Sequence, residues 1–521
     1  MATYKFKTRP YRHQVEGIKF AMAHIKEGRA GAAFLFEPRT GKSKTMIDTL
    51  SILHKHRDHQ LRKVLIIAPN RVLGTWVEEF HVHCPLNVQT IIWDAKERKH
   101  PLPSSLGPYD LQVVLVNFEA FSTPGPKTAS GRRSKTAGRF KHRKMIQAWI
   151  GNDDVACVVD ESHKIKNPSG KSSAMIVSMR DDFRYRFLLT GTPVTKANRA
   201  HDAYMQWQFL NPDRFRSWGP TLSSFKEHIG RWINDNGYPQ WVGERADGME
   251  DLKHGIHTDG MVVRRSDCFD LPNRDIRIIP VPLKKSAKHY DEMAEHMVTQ
   301  LESGEVAEAS IPLVVTLRLQ QIASGFVGVT PQPPESFADH PEDYYSIFPE
   351  SYRNVSKAVR VGTEKLDKLE EILKEETIER DEKIVIAAKF KSDLNAIETL
   401  CNGLGIPTWS IRGGLTREET DAFIRAFKRH EGLGAMVIQP QAASLGIDLS
   451  TASHMVWFSL TSSWVDYTQA CDRIALSRNS TTFTYLLAQG TVDEVIYEAL
   501  QSDGKVSAQI LKKPSTLLRK G

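Results

Sequence analysis

Short apolar, β-branched runs alternate with helical patterns in two stretches of this 521-residue chain, and this alternation narrows the fold more than any other feature. Continuous apolar runs separated by helices are typical of parallel strands that are buried on both faces. The sequence therefore predicts an α/β fold with two parallel sheets, each flanked by helices. The predicted strands are Ala32–Phe36, Val64–Ala68, Val113–Val116, Val155–Asp160 and Arg186–Thr190 in the first stretch, and Lys383–Ala387, Thr408–Ile411, Ala435–Ile438, His454–Phe458 and Phe483–Leu487 in the second.

The two stretches are separated by a region in which the alternation stops, so three segments are predicted: residues 1–210, 211–360 and 361–521. In the middle segment, Trp218, Trp232 and Trp241 lie among Gly, Asp and Asn, and a Pro-rich patch follows. We interpret this segment as helical insertions and linkers. Its tryptophans either form a small core or stack on unpaired bases, and the core is favoured.

Charge and cysteine usage exclude several classes of protein. The formal net charge is +8 and the pI is about 9.0. This basic balance suits a polyanionic partner, and nucleic acid is the first candidate. The 5 cysteines are dispersed without a CxxC pair, which argues against a disulfide framework or a thiolate zinc site. No apolar run reaches the roughly 18–20 residues of a membrane span. The N-terminus has no signal-peptide pattern. These features predict a soluble cytoplasmic protein with no membrane partner.

Basic residues are concentrated between Lys127 and Lys144, where no acidic residue occurs. One interpretation is a solvated surface loop, and the other is a contact with the phosphate backbone of a nucleic acid. Both remain open. The second makes Arg132, Arg133 and Lys135 candidate nucleic-acid contacts.

A candidate phosphate site follows the strand Ala32–Phe36. The segment Glu37–Thr45 leads into a helical pattern, and a strand, a tight loop and a helix N-terminus together form an anion site. Gly41 would allow close approach, Lys42 would reach the β- and γ-phosphates, and Ser43 would hold Mg²⁺. Phe36 stands where the strict phosphate-loop pattern has its first glycine, so a helix start with an exposed lysine is the alternative.

Two further clusters fit the same chemistry. Val155–Asp160 is an apolar strand that ends in the acidic pair Asp160 and Glu161. Asp160 could hold Mg²⁺ through water and Glu161 could orient and deprotonate the attacking water, whereas the alternative is an acidic helix cap. In the second stretch, Arg473 lies on a helical segment from about Trp464. It is either an arginine finger that stabilises charge on the transferred phosphoryl group or a surface residue.

Taken in order, these clusters and several others resemble the Swi/Snf-type, DEAH-box-like ATPases of helicase superfamily two. The resemblance extends over nearly the whole chain. It is carried by Arg9–Gly17 (the adenine-reading Q motif), Glu37–Thr45 (motif I), Val64–Pro69 with Trp76–Phe80 (motif Ia), Asp160–Asn167 (motif II), Leu188–Pro193 (motif III), Ser444–Leu449 (motif V), Gln469–Arg473 (motif VI) and the block Gly490–Ile496.

The resemblance implies two RecA-like domains, ATP and Mg²⁺ as cofactors, and a role for each matching residue. The residues assigned to catalysis are Glu161, Arg473, Arg478 and Lys42. Metal binding is assigned to Ser43 and Asp160. Coupling of the phosphate state to DNA is assigned to His163, Thr190 and Thr192, and DNA contact to Arg71 besides the basic loop. The implied ATP-binding residues are Tyr11, Gln14, Arg39, Thr40, Gly41, Lys42, Ser43, Lys44, Asp160, Gly446, Asp448 and Gln469.

The chain departs from the family pattern at two places. Arg39 stands where motif I usually has glycine. A shifted register would make Lys44 and Thr45 the phosphate and metal residues. Lys42 and Ser43 are preferred because, in that register, Glu37 also matches its position in the family motif. In motif VI, Leu476 occupies the position of the usual second arginine, and Arg478 lies two residues further on. Either Arg478 substitutes for it or Arg473 acts alone.

The function that the resemblance implies is an ATP-dependent motor that moves along or remodels duplex or branched DNA, for example by branch migration or fork remodelling. The expected protein is a monomer that binds DNA with little sequence preference, with replication or recombination proteins as further partners. The compact motor resembles those of bacteriophages, in which case it would act in the host cytoplasm. The alternatives are a strand-separating helicase and a non-hydrolysing DNA-binding scaffold.

Overall fold

The computed structural model describes residues 4–56, 61–122, 137–195, 199–235, 238–268, 274–296, 298–300, 306–308, 312–329, 357–443, 447–474 and 481–510. The chain forms two compact units. One is made chiefly of residues up to Asp270 and the other of Leu271–Ser502.

The first unit is built on a seven-stranded sheet in which every pairing is parallel, in the order β3-β4-β2-β5-β6-β1-β9. A separate antiparallel hairpin is formed by β7 and β8. The strands are β1 (Gly31–Phe36), β2 (Lys63–Ala68), β3 (Val88–Ile92), β4 (Leu111–Asn117), β5 (Val155–Asp160), β6 (Tyr185–Leu189), β7 (Gly230–Asp235), β8 (Tyr238–Glu244) and β9 (Gly260–Val263). The helices are α1 (Arg12–Lys26), α2 (Lys42–Lys55), α3 (Leu73–His83), α4 (Ala137–Ile150), α5 (Lys171–Ser178), α6 (Ala203–Leu210), α7 (Leu222–Ile229) and α8 (Ala246–Asp259).

The second unit has a six-stranded parallel sheet in the order β10-β19-β18-β15-β17-β16, and two small antiparallel pairs, β11 with β12 and β13 with β14. Its strands are β10 (Arg274–Val281), β11 (Val298–Gln300), β12 (Val306–Glu308), β13 (Phe326–Val329), β14 (Lys357–Arg360), β15 (Lys383–Ala387), β16 (Thr408–Ile411), β17 (Gly434–Ile438), β18 (His454–Trp457) and β19 (Thr481–Ala488). The helices that begin in it are α9 (Ala287–His296), α10 (Pro312–Ala323), α11 (Glu364–Ile372), α12 (Lys391–Gly403), α13 (Arg417–Arg429), α14 (Pro440–Ala443), α15 (Trp464–Cys471) and α16 (Val492–Ile510).

Both sheets are buried on two faces, as the continuous apolar runs predict. In β2, Val64 and Ile66 belong to one hydrophobic core, whereas Leu65 and Ile67 belong to the core on the opposite face. The same alternation occurs in β15, where residues 384 and 386 face one core and residues 385 and 387 the other. The predicted α/β fold with two parallel sheets flanked by helices is therefore confirmed.

Each of the ten predicted strands is present, but the sheets contain three more: β3, β9 and β10. All three are edge strands. Most residues of β3 and β10 are exposed or half-buried, and β9 has only four residues, so none produces a long apolar run. The middle segment, expected as helical insertions and linkers over 211–360, is divided between the two units. Its strand β9 pairs with β1 in the first sheet, and β10 pairs with β19 in the second.

The aromatic residues of the middle segment differ in exposure. Trp218 and Trp241 pack against the core of the first unit, which confirms the core interpretation for them. Trp232 lies on β7 with 39% of its surface exposed and meets Trp241 edge-on, with ring centroids 5.4 Å apart. For Trp232 the expectation of a core position was therefore wrong, because the hairpin turns this ring outward.

All five cysteines are free thiols, and four of them are buried. Within the described ranges, no helix combines the length and the apolar character that crossing a bilayer requires.

Candidate functional site

Three loops of the first unit meet at the carboxyl edge of its sheet. They follow β1, β5 and β6, which are adjacent and parallel, so their carboxyl ends lie side by side. A Cβ atom on Gly191 would lie 3.0 Å from Pro38 Cδ and 3.1 Å from the carbonyl oxygen of Phe36. The loop after β6 therefore touches the loop after β1. Ligands of open α/β sheets bind at such carboxyl edges.

The loop after β1 forms an anion-binding turn at the start of α2. Gly41 has φ +83°, a conformation that favours glycine, and a Cβ atom there would lie 2.1 Å from Gln14 Nε2 and would displace that amide. Lys42 begins the helix, and its Nζ donates to the carbonyl oxygen of Phe36 at 2.8 Å. The free N–H groups and the dipole at this helix N-terminus favour a phosphate. Arg39 also has a positive φ, 67°, which is unusual for a residue with a side chain.

The contacts of Lys44 distinguish the two registers of the phosphate motif. Lys44 Nζ lies 2.7 Å from Asp48 Oδ2 in a buried ion pair, and it donates to the carbonyl oxygen of Thr8 at 3.1 Å. The hydroxyl of Thr45 donates to Gly41 O at 2.9 Å. The shifted register would require both side chains to leave these partners. The geometry therefore favours Lys42 and Ser43 as the phosphate and metal residues.

The N-terminal segment of the predicted adenine site is held against the phosphate loop. Gln14 Oε1 accepts from the backbone N–H of Tyr11 at 2.9 Å, and Gln14 Nε2 donates to Thr40 O at 3.4 Å. His13 Nε2 lies 2.8 Å from the same Thr40 carbonyl oxygen. The amide of Gln14 is buried, whereas the ring of Tyr11 is 59% exposed. Gln14 thus joins α1 to the loop, and the exposed ring of Tyr11 stacks on His13 with ring centroids 5.9 Å apart.

The acidic pair lies at the end of β5. Asp160 Oδ2 accepts from the indole Nε1 of Trp76 at 3.0 Å, and Oδ1 accepts from the backbone N–H of Glu161 at 3.0 Å. Burial, and next the charge of Glu161, raise the pKa of Asp160 to about 6, although Trp76 and the Lys42 ammonium oppose the rise. A carboxylate has about four acceptor positions, so Asp160 keeps two for a ligand.

This donor set suits Mg²⁺ held partly by phosphates. Magnesium prefers oxygen ligands and is bound in such sites by one or two carboxylates together with substrate phosphates. Asp160 and the hydroxyl of Ser43 supply oxygens of this kind. In the described part of the chain, no group of three or more His, Cys, Asp or Glu forms an all-protein metal cage. The residues present therefore fit a metal that arrives with its nucleotide.

Glu161 is connected to the loop after β6 through a histidine. Nδ1 of His163 lies 3.3 Å from Glu161 Oε2 and 3.2 Å from Thr190 Oγ1. Burial lowers the pKa of His163 to about 3, so the ring is neutral at physiological pH. Thr190 Oγ1 also accepts from the backbone N–H of Thr192 at 3.0 Å. The structure thus brings together the predicted base and both predicted coupling threonines.

Glu161 itself has φ +52°, an unusual backbone conformation for a residue with a side chain. Such strained residues concentrate at functional sites, where the surrounding contacts hold them. The hydrogen bond from Glu161 N–H to Asp160 is one of these contacts.

The remaining predicted residues belong to the second unit or to the predicted DNA contacts. Arg473 is 6% exposed, its Nη1 donates to Ile447 O at 3.4 Å, and Asp448 accepts from Lys428. Gln469 lies on α15, and Arg71 lies in the short 3-10 turn Asn70–Val72 that follows β2. Gly446, Arg478, Arg132, Arg133 and Lys135 lie outside the described residues.

Trp76 received no role from the sequence. Trp76 lies in the segment that resembles motif Ia, and its distance of 84 positions from Asp160 gives no local sign of the contact. The signal was a tryptophan on the helix after β2, because β2 pairs directly with β5, the strand that carries Asp160.

Two protein-family models match this chain and show the family to which it belongs. The model of the SNF2-related domain matches residues 13–324, and that of the helicase conserved C-terminal domain matches residues 364–476. The chain belongs to the SNF2-related family. The resemblance to Swi/Snf-type ATPases of helicase superfamily two is thereby confirmed.

This SNF2-related protein is similar to larger plant and yeast proteins. It is 25% identical to a probable chromatin-remodeling complex ATPase chain of Oryza sativa, over 87% of this chain and 36% of that protein. It is 25% identical to an ISWI chromatin-remodeling complex ATPase of Arabidopsis thaliana, over 95% of this chain and 43% of that protein. It is 23% identical to a DNA repair and recombination protein of Saccharomyces cerevisiae, over 86% of this chain and 45% of that protein. The chain thus spans less than half the length of these relatives.

Among solved structures, the SWI2/SNF2 ATPase core of Sulfolobus solfataricus in complex with dsDNA is similar, at 20% identity and a TM-score of 0.40. The similarity covers 100% of this chain and 97% of that one.

Proposed function

We propose that this protein is a DNA-dependent ATPase that uses hydrolysis to move along or remodel duplex or branched DNA. The observation that carries the proposal is the meeting of a phosphate loop, an acidic pair and a threonine loop at one sheet edge, joined by the contacts of Gly191 and His163. Phosphoryl transfer needs this combination of phosphate binding, metal ligands and a water-orienting carboxylate.

Each residue of this edge has a separate task. Lys42 and the N-terminus of α2 bind the β- and γ-phosphates, while Ser43 and Asp160 would hold Mg²⁺, which neutralises phosphate charge when bound. Glu161 orients the attacking water and accepts its proton, and neutral His163 fixes the Glu161 carboxylate beside Thr190. The other predicted ATP contacts are Tyr11, Gln14, Arg39, Thr40, Lys44 and, from the second unit, Gly446, Asp448 and Gln469.

Arg473, alone or with Arg478, is proposed to stabilise the charge of the transferred phosphoryl group. A guanidinium in this role is worth several orders of magnitude in rate. Hydrolysis would then change the relative position of two DNA-gripping surfaces, the usual way in which a nucleotide cycle drives movement.

The proposed DNA contacts act mainly on the phosphate backbone. The net charge of +8 favours a polyanion, and the predicted contacts Arg71, Arg132, Arg133 and Lys135 are cationic. Binding through phosphates is insensitive to sequence and weakens steeply with salt. Replication or recombination proteins are proposed as further partners because the yeast relative is a DNA repair and recombination protein.

The direct test is steady-state ATP hydrolysis at low salt without nucleic acid and with single-stranded DNA, duplex DNA, a four-way junction or RNA. We expect duplex or junction DNA to stimulate hydrolysis and added salt to reduce that stimulation. A junction that stimulates more than duplex of equal length would favour branch migration or fork remodelling. Binding of ATP and DNA without hydrolysis would instead favour the non-hydrolysing scaffold.

A strand-separating helicase is the second candidate, because it needs a wedge and the β7–β8 hairpin offers one. This hairpin exposes Trp232 and Ile233, which are 39% and 52% exposed, and apolar side chains of this kind can unstack bases. We expect displacement of a third strand from a triplex without opening of a forked duplex. Fork opening that is lost in Trp232→Ala, while triplex displacement is retained, would identify the hairpin as a wedge and favour strand separation.

A further inference from the structure

The indole of Trp76 is one of only two donors that the structure shows on the Asp160 carboxylate within the described residues. The other is the backbone N–H of the next residue, Glu161. Trp76 is 2% exposed and lies on α3, in the core that covers one face of the sheet. Its ring is therefore held by packing, and its N–H has a fixed direction.

The two hydrogen bonds act on different oxygens of Asp160. The Glu161 N–H approaches Oδ1 and the indole approaches Oδ2, each at 3.0 Å. A backbone donor from the adjacent residue fixes one oxygen only, and rotation of the carboxylate about its Cβ–Cγ bond is stopped by the second donor. The remaining acceptor positions of the carboxylate then have a defined direction before any ligand arrives.

We propose that Trp76 is a positioning residue that orients Asp160 for Mg²⁺, an inference that rests on the proposed function. Donors that fix a metal-binding carboxylate commonly change metal affinity or activity by 10–100-fold when they are removed. Trp76 does not contact nucleotide phosphate in this proposal. Its effect is on the metal, and it acts through Asp160.

The test compares Trp76→Phe with Trp149→Phe. The first change removes the indole N–H and keeps an aromatic ring in the core. Trp149 is equally buried, at 1% exposure, and its indole donates to the neutral amide of Gln112, so Trp149→Phe is a matched loss of packing and of one hydrogen bond.

Two measurements are made on each full-length protein. The first is the affinity for a fluorescent ADP analogue with and without Mg²⁺. The affinity with Mg²⁺ divided by the affinity without it reports metal binding, and it requires no turnover. The second is the Mg²⁺ concentration that half-saturates DNA-stimulated ATP hydrolysis. For Trp76→Phe we expect the affinity ratio to fall, and the half-saturating Mg²⁺ concentration to rise, by at least about tenfold. Affinity without Mg²⁺ should stay within about twofold of wild type, because the phosphate loop is intact.

Other results would overturn the proposal. A Trp76→Phe protein whose Mg²⁺ dependence equals that of Trp149→Phe would show that Trp76 has only a packing role. A loss of affinity that is equal with and without Mg²⁺ would show damage to the phosphate loop instead. Wild-type protein that binds ADP more tightly with Mg²⁺ but hydrolyses nothing would refute the proposed function alone, since the affinity ratio still tests Trp76. Wild-type protein that binds no nucleotide would refute both.

Discussion

Glu161→Gln should stop turnover while leaving ATP bound. We expect kcat to fall by about 10²–10⁴-fold, the usual contribution of a positioned general base. The substitution keeps the shape of the side chain but removes its negative charge and its ability to accept a proton. Because Lys42 and Gly41 are untouched, nucleotide affinity should change little.

The surroundings of Glu161 explain why no neighbour is expected to replace it. His163 is buried and its pKa is lowered to about 3, so it is a weak base at physiological pH. Its Nδ1 is also already engaged between Glu161 and Thr190. Asp160 is assigned to the metal, and both of its oxygens carry hydrogen bonds. Glu161 is thus the carboxylate of the pair that is left for proton transfer.

The measurement is DNA-stimulated hydrolysis together with nucleotide binding, for Glu161→Gln, Lys42→Ala and Asp154→Asn. Lys42→Ala should weaken nucleotide binding as well as turnover, because it removes a phosphate ligand. Asp154→Asn is the matched control: this carboxylate directly precedes β5, at the end opposite Glu161, and forms a partly exposed ion pair with Arg184. It should retain wild-type kcat. Turnover by Glu161→Gln within tenfold of wild type would exclude Glu161 as the base.

Local sequence pattern was sufficient to predict the strands and the loops that carry the site. A buried parallel strand requires a continuous apolar run, and Val155–Asp160 shows both the run and the carboxylate that ends it. Gly41 was predicted as the point of close approach, and its φ of +83° and the nearby Gln14 amide give the reason. Strands such as β10, which mixes charged and apolar residues at a sheet edge and is mostly exposed, gave no such signal.

Contacts between distant parts of the chain were not predictable from local pattern. Local pattern allows two registers of the phosphate motif, and the buried pair of Lys44 with Asp48 favours one of them. Trp76 and Asp160 are separated by 84 positions, and only the pairing of β2 with β5 brings them together. The division of the middle segment between two sheets likewise depends on strand pairing, which composition does not encode.

The second large effect is expected in the second unit, where Lys365 and Asp493 form a fully buried ion pair. Each side chain is 1% exposed. Lys365 Nζ also donates to Phe458 O at 3.0 Å, and Asp493 Oδ2 accepts from the backbone N–H of Ala488 at 3.2 Å. The pair therefore joins α11 to the segments that follow β18 and β19.

Lys365→Met should lower the free energy of unfolding of this unit by about 3–5 kcal/mol, because it leaves the charge of Asp493 buried without its partner. The double variant Lys365→Met/Asp493→Leu should recover much of that loss, since an apolar pair of similar volume has no desolvation cost. Lys374→Met is the control. Lys374 pairs with Glu370 at 2.6 Å with both side chains exposed, and such pairs contribute about 0–1 kcal/mol.

The chain has two units, so a single unfolding transition is not a safe measure of either. Hydrogen exchange of the amides in β15 and β18, which lie at the centre of the second sheet, reports the opening free energy of this unit separately. Lys365→Met should accelerate exchange there by two to four orders of magnitude, the equivalent of about 3–5 kcal/mol. Strands β2 and β5 of the first unit should exchange as in wild type. If the double variant exchanges as fast as Lys365→Met, the loss is due to packing of the lysine stem rather than to an unpaired charge.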